Sequence, residues 1–253
     1  MEKENLLFYD EYEAFYEMAE KSTAFRTFCY DAFGQDFSQD GFSDIAQIDM
    51  ILPYIPAKED VHILDIGCGN GKMLGYLQKK TGAFIHGFDY SRKAIANARA
   101  LFTDRADFQE GIIGGMEYPN ETFDVVVSMD TMYFAKDMSA FVAQIKRWLK
   151  PEGILFAGYQ EGELVPRTRD EHTTELAKAL KKNQMNYDVR NITKQTYELL
   201  KTKREAAMMH KADFENEKHG KWFDLLMMQT MWSEQSYQQF KGAMARYIYT
   251  AGK

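Results

Sequence analysis

Three glycines at alternate positions follow an aspartate in the stretch Leu64-Asp65-Ile66-Gly67-Cys68-Gly69-Asn70-Gly71. A backbone this free of side chains suits a turn where a ligand lies against main-chain N–H groups at a helix N-terminus. The spacing decides which ligand chemistry stays open. A dinucleotide fingerprint, G-x-G-x-x-G, needs its third glycine at position 72, where Lys72 stands. A phosphate loop ending at Gly71-Lys72 needs glycine at 66 and Ser or Thr at 73, and the chain has Ile66 and Met73. Both phosphate-binding readings lose their key residues.

Other carboxylates stand where they could serve the same ligand. Asp89, in Gly87-Phe88-Asp89-Tyr90-Ser91, follows the turn by about 20 residues, the spacing at which a strand-end carboxylate accepts two hydrogen bonds from a ribose diol. An aspartate there can also simply start the next helix, favoured by its dipole. The glycine turn upstream favours the ribose. Asp65 either approaches the ligand or ties down N–H groups of the turn. Asp130, in Ser128-Met129-Asp130-Thr131-Met132-Tyr133-Phe134, closes another apolar run. Tyr133 either lines the reaction site or packs.

Strand ends require strands, and the chain supplies them. Val61–Ile66, Ala83–Asp89, Asp124–Asp130 and Gly153–Tyr159 are short runs rich in Val, Ile and Phe, without the polar alternation of a one-faced sheet. Such runs suit parallel strands covered on both faces. Between them lie helical patterns. Ser91 is placed to cap a helix whose Ala94, Ile95, Ala98, Leu101 and Phe102 share a face. Phe141, Val142, Ile145, Trp148 and Leu149 repeat the spacing before Lys150-Pro151-Glu152-Gly153 breaks it. The alternation predicts an α/β, doubly wound, mostly parallel sheet.

Two flanking regions complete the chain. Residues 1–56 read as a helical cap, with Phe8, Tyr12, Phe15, Tyr16 and Ala19 on one face and an aromatic-rich loop over Phe33–Phe42. Residues 57–160 form the core. Residues 161–253 read as helical insertions, chiefly 194–241, plus two strands at Tyr187–Ile192 and Arg246–Thr250 that bring the sheet to seven. The Lys201-Thr202-Lys203-Arg204 run reads as a solvated helix face, and 222–232 as an apolar helix for core and interface.

The apolar-Asp-apolar-Gly-x-Gly-x-Gly turn, the acid at Asp89, the strand end at Asp130 and the Lys150-Pro151-Glu152-Gly153 turn together resemble the class I S-adenosylmethionine (SAM) dependent methyltransferases over roughly residues 61–159. The resemblance implies a Rossmann-like fold binding SAM and releasing S-adenosylhomocysteine (SAH). It implies that Asp65, Gly67, Cys68, Gly69 and Gly71 seat the methionine moiety and that Asp89, with Tyr90 beside it, holds the ribose. Adenine falls to backbone at Ile112 and Ile113, because Ile112 stands where the family often has an aspartate. Asp130 lies beside the transferable methyl. Base-methylating enzymes usually carry [Asn/Asp/Ser]-Pro-Pro-[Tyr/Phe] there, so Asp-Thr-Met-Tyr points to a small-molecule acceptor. Asp130, Tyr133 and His172 are the candidates to accept a proton from it.

Composition narrows the alternatives. The net charge of −7 and pI near 5.4 argue against a protein that lives on the phosphate backbone of nucleic acids. An RNA- or tRNA-modifying methyltransferase and a SAM-binding protein without methyl transfer remain the rival readings. Two cysteines, Cys29 and Cys68, provide no disulfide framework, and the five histidines form no ligand pair, so no metal is expected. The charged Met1–Asn5 start lacks an apolar signal core, and no apolar run reaches membrane-spanning length, which leads to a cytoplasmic expectation. A homodimer through 222–232 is the partner the apolar helix suggests.

Overall fold

The computed structural model describes residues 7–39 and 41–253. The Met1–Asn5 stretch and Asp40 lie outside them. The first segment folds as α1 (Tyr9–Lys21), α2 (Thr23–Phe33) and α3 (Ile45–Asp49). The strand–helix alternation follows as β1 (His62–Ile66), α4 (Lys72–Thr81), β2 (Phe84–Asp89), α5 (Arg92–Leu101), β3 (Ala106–Glu110), β4 (Phe123–Met129), α6 (Met138–Trp148) and β5 (Leu149–Glu161). The last segment gives α7 (Glu175–Lys182), β6 (Asn186–Asn191), α8 (Thr193–Met209), α9 (Lys211–Asn216), α10 (Gly220–Gln229), α11 (Tyr237–Ala243) and β7 (Ala245–Gly252).

Among the described residues the strands make one seven-stranded sheet in the order β3-β2-β1-β4-β5-β7-β6. Only β7 runs against its neighbours, pairing antiparallel with β5 and β6. This is the doubly wound, mostly parallel sheet that the alternation predicts, and the Rossmann-like fold that the resemblance implies. The order reverses at β1, whose carboxyl end carries the glycine turn and whose neighbours on the two sides are β2 and β4. In an open α/β sheet that switch point is where ligands bind.

Both faces of the central strands are covered, which is why β1 and β4 are largely apolar. One core cluster joins Ile63, Val125 and Phe156 to Phe15, Phe25 and Phe28 of the N-terminal helices and to Trp222 of α10. A second, on the α6–α7 face, gathers Leu64, Val126, Trp148, Tyr159 and Tyr249. The two flanking segments therefore share the core of the sheet, and Tyr197, Leu200, Phe240 and Met244 add a small third cluster.

The differences from the sequence reading have physical causes. Strand β3 escapes an apolar-run criterion because it lies at the sheet edge and only Phe108 among its five residues is buried. β5 starts earlier than expected: Leu149 already pairs with Phe123, and the Lys150-Pro151 turn becomes a register shift within the strand. Leu101 does not join the buried face of α5; it is exposed, while Phe102 packs against Gly75. Phe8 likewise lies outside the buried face of α1, as an exposed residue in left-handed conformation. Lys203 overturns the solvated-face reading of 201–204. It is fully buried, with Nζ near the Phe33 and Phe42 rings and 2.9 Å from Gln229 Oε1.

Candidate functional site

The glycine turn needs its glycines. Gly67, Gly69 and Gly71 have φ of 72°, 54° and 74°, the left-handed region that side chains rarely enter. A Cβ on Gly67 would sit 2.7 Å from Thr131 Cγ2, and one on Gly71 would sit 2.7 Å from Phe108 Cζ. The turn is bonded to the neighbouring strand, since the N–H groups of Gly67 and Cys68 both donate to Phe88 O, at 2.9 and 3.1 Å. Cys68 has its main chain held inside the turn, its N–H on Phe88 O and its carbonyl accepting the Gly71 N–H at 3.0 Å. Its Sγ faces Gly87, where even a methyl group would crowd it.

Two buried carboxylates flank this turn. Asp89 Oδ2 accepts the Gly69 N–H at 2.9 Å, and Oδ1 accepts the Ser91 N–H at 2.9 Å. Ser91 caps α5 as expected, taking the Ala94 N–H on its hydroxyl. Burial pushes Asp89 up to about 6, despite the N–H groups of Ser91 and Gly69 that favour its charged form. Burial likewise holds Asp65 well above the usual carboxylate range, and the Asp89 charge adds to it. Neither forms an ion pair with a described residue. A buried acidic pair lacking a cation suits a positively charged ligand. Gly111 N–H donates to Asp89 O at 2.9 Å, which sets the Gly111–Ile113 turn beside the same strand end. Ile112 and Ile113 are half-buried there.

Helix α1 lies across the turn. The Tyr16 hydroxyl occupies the space a Gly69 side chain would need. Glu13 accepts from Ser91 Oγ at 2.7 Å and from Lys93 N at 3.1 Å, and Asn97 donates to Tyr16 O at 3.3 Å. Tyr90 turns its ring toward Tyr9 and Tyr12 and donates its hydroxyl to Leu7 O at 3.0 Å. The aromatic-rich loop after α2 is held to the turn by Lys72, whose Nζ bonds Asp36 Oδ2 and Ser38 Oγ, each at 2.6 Å.

At the end of β4 the carboxylate of Asp130 is committed. Arg246 donates to it twice, Nε to Oδ1 at 3.0 Å and Nη2 to Oδ2 at 2.6 Å. Tyr133 packs edge-on to Tyr159. Burial, followed by the charge of Asp130, keeps its hydroxyl protonated well past the ordinary range, and Tyr12 and Glu163 act on it in the same sense. The structure brings Asp130 and Tyr133 together and leaves His172 out, which corrects its grouping with them. His172 is exposed and bonds Tyr187, 3.1 Å away. Tyr187 is in register with Ala251, and Ala251 with Leu155, well back from the strand ends. Tyr133 and Tyr187 pack against the same core cluster, so His172 is separated from Asp130 and Tyr133 by its depth along the strands.

Sequence reasoning missed Arg246 and Thr131. A charge inside the apolar run Arg246-Tyr247-Ile248-Tyr249 was the available signal for the first. Among the described residues no group of three or more His, Cys, Asp or Glu is arranged to hold a metal ion, and no helix is long and apolar enough to cross a membrane.

Residues 64–157, which carry the turn and four of the strand ends described above, match the methyltransferase domain family. A phosphoethanolamine N-methyltransferase of Triticum aestivum is 29% identical over 169 residues, covering 65% of this chain and 32% of the wheat protein. The structure of Haemonchus contortus phosphoethanolamine N-methyltransferase 2, bound to phosphomonomethylethanolamine and SAH, superposes with a TM-score of 0.74 at 22% identity, covering 94% of this chain and 60% of that one. The cyclopropane synthase MmaA2 of Mycobacterium tuberculosis superposes with a TM-score of 0.72 at 17% identity, covering 96% and 98%. At these identities the structural likenesses establish the fold. The chain spans about a third to a half of the length of the curated relatives it matches. With this sheet order and this match, residues 64–157 are similar to the methyltransferase domain family in both sequence and fold.

Proposed function

We propose that the protein binds SAM and transfers its methyl group to a nitrogen or oxygen of a small-molecule acceptor. The observation that carries this reading is the glycine turn at the switch point of the sheet, flanked by the buried carboxylates of Asp65 and Asp89, neither ion-paired with a described residue. Gly67–Gly71 and Asp65 would receive the methionine moiety, Asp89 the ribose, and the Ile112–Ile113 turn the adenine. SAM supplies a methyl group on a positively charged sulfur, which leaves as the neutral thioether of SAH.

The protein's part is alignment, which supplies up to roughly 7–11 kcal/mol in the best intramolecular cases. Tyr12, Tyr16 and Tyr133 would line the acceptor side, with aromatic faces suited to an amine. Tyr133 keeps its proton at neutral pH, so it can donate a hydrogen bond but not act as a base. Asp130 is held by Arg246. An amine delivered neutral needs no base before it attacks, and the amine is therefore the acceptor this arrangement favours. Within 222–232, the exposed Met228 and Met231 are the surface for the proposed homodimer, and a cytoplasmic location is part of the same reading.

Thermal shift with SAM, SAH, NAD and ATP on the wild type and Asp89→Ala tests the cofactor. SAM and SAH should raise the melting temperature of the wild type alone, and NAD and ATP should not. Release of SAH in the presence of a panel of small amines and alcohols then tests the transfer. Failure of SAM and SAH to stabilise the wild type overturns the reading.

A further inference from the structure

We infer that Arg246 is a positioning residue, locking the Phe42–Gln47 segment and the Asp130–Thr131 corner to the glycine turn as one unit. Arg246 stands in β7, next to Ala245 and followed by Tyr247, Ile248 and Tyr249, and it is 1% exposed. A guanidinium has five N–H donors in a planar fork, and burying it is tolerable only when they are satisfied. Here all five have acceptors. Nε and one Nη2 hydrogen go to the two oxygens of Asp130, and the other Nη2 hydrogen goes to Ser43 Oγ at 2.7 Å. The two Nη1 hydrogens go to Phe42 O and Gln47 Oε1. No donor is left over for a substrate anion, so the residue acts through its neighbours.

Those neighbours lead directly to the cofactor turn. Asp130 has φ of 59°, a left-handed conformation in which a non-glycine residue stores strain unless its surroundings hold it. Its carboxylate is held by Arg246 and its N–H by Gly158 O at 3.0 Å. The next residue, Thr131, bonds Ile66 O at 2.7 Å and lies against Gly67. On the other side, Gln47 Nε2 is buried with no hydrogen-bond partner among the described residues, and its Oε1 is held by Arg246. Lysine, with three donors on a single nitrogen, cannot reach both sides of this junction.

The test rests on the proposed SAM reading only for its binding arm. Wild type, Arg246→Lys and Arg246→Met are compared by SAH titration calorimetry at a temperature where all are folded, and by hydrogen–deuterium exchange. Arg246→Lys should bind SAH about tenfold more weakly, because a misplaced turn loses its ligand geometry. Exchange should rise together in peptides covering 42–47 and 130–134 and stay unchanged on the α6–α7 face. An ion pair that merely stabilises the fold would lower the melting temperature and leave SAH affinity alone. Affinity for SAH within about twofold of wild type, or exchange that rises in only one of the two peptides, overturns the inference. Should the Arg246 variants fail to fold, Ser43→Ala removes one acceptor on the loop side. Loosening at 130–134 in that variant supports the coupling, and loosening confined to the loop refutes it. If wild type binds no SAH, the functional reading fails, while the exchange arm still decides the role of Arg246.

Discussion

Asp89 Oδ2 accepts the Gly69 N–H at 2.9 Å, so the carboxylate ending β2 and the middle glycine of the turn form one hydrogen-bonded unit. This contact places a buried negative charge beside a backbone that has no side chains to counter it. Several expected behaviours of the protein follow from that placement and from the way the flanking helices are tied down.

The first concerns pH. Burial raises Asp89 from 3.8 to about 6, and Asp65 is raised by burial and by Asp89. Between those values the folded protein holds a proton that the unfolded chain has released. Ligand-free stability therefore falls as pH rises through about 4 to 6, by about 3 kcal/mol for Asp89 at full effect. A cationic ligand prefers the ionised pair, so SAM affinity moves the opposite way and strengthens from about pH 5 to about pH 7. Calorimetric titration across that range should show this for wild type and a flatter profile for Asp89→Asn. A flat wild-type profile would count against the cationic ligand.

A second prediction concerns the turn itself. Gly67→Ala must force a side chain into φ of 72° and against Thr131 Cγ2. The backbone strain costs about 1–2 kcal/mol, and overpacking adds about 1–3 kcal/mol. Thr131→Ser removes that methyl group while keeping the hydroxyl bonded to Ile66 O and Ser128. In the double variant the overpacking part should be recovered and the strain part should remain. Urea denaturation of the four proteins measures the coupling, and strict additivity of the two substitutions would refute the contact.

Histidine 210 gives a pH effect of the opposite sense. It joins α8 and α9 to α2 through Asp31, 2.6 Å from Nε2, and to Asp213, 3.1 Å from Nδ1. Burial works against its charge, but the bonds to Asp31 and Asp213 prevail and raise it above 6.5. Its contribution is complete below the unfolded value and is lost as pH rises through the raised folded value. Melting temperature should therefore decline above about pH 6.5 in wild type, and Asp31→Asn should flatten that decline. Equal slopes in the two proteins would remove His210 as the cause.

Glutamate 217 caps α2 from a distant part of the chain. It accepts from Ser22 Oγ at 2.5 Å, Thr23 N at 3.1 Å and Ala24 N at 3.0 Å. Those are groups at a helix start that would otherwise lack partners, and the dipole there favours negative charge. Glu217→Ala should cost about 1–2 kcal/mol in urea denaturation, as loss of a cap does. No measurable change would mean that water replaces the carboxylate freely.

Local sequence determined the sheet and the centre of the site. Val, Ile and Phe runs as in β1, β2 and β4 bury both faces whatever their neighbours, so the strands and their alternation with helices are written in consecutive residues. The glycine turn and Asp89 are legible for the same reason, since each acts through its own backbone at a strand end. Strand β3 was silent because an edge strand buries almost nothing. What only the tertiary structure decided is which side chains from distant segments share those ends. The register of β7 against β5 brings Arg246 to Asp130 across 116 residues of chain, and the fold of α8–α10 onto α2 buries Lys203 and sets Glu217 at a helix start. It also sets His172 beside Tyr187, back from the strand ends. Those pairings depend on loop paths and strand register, which no periodicity in the sequence encodes.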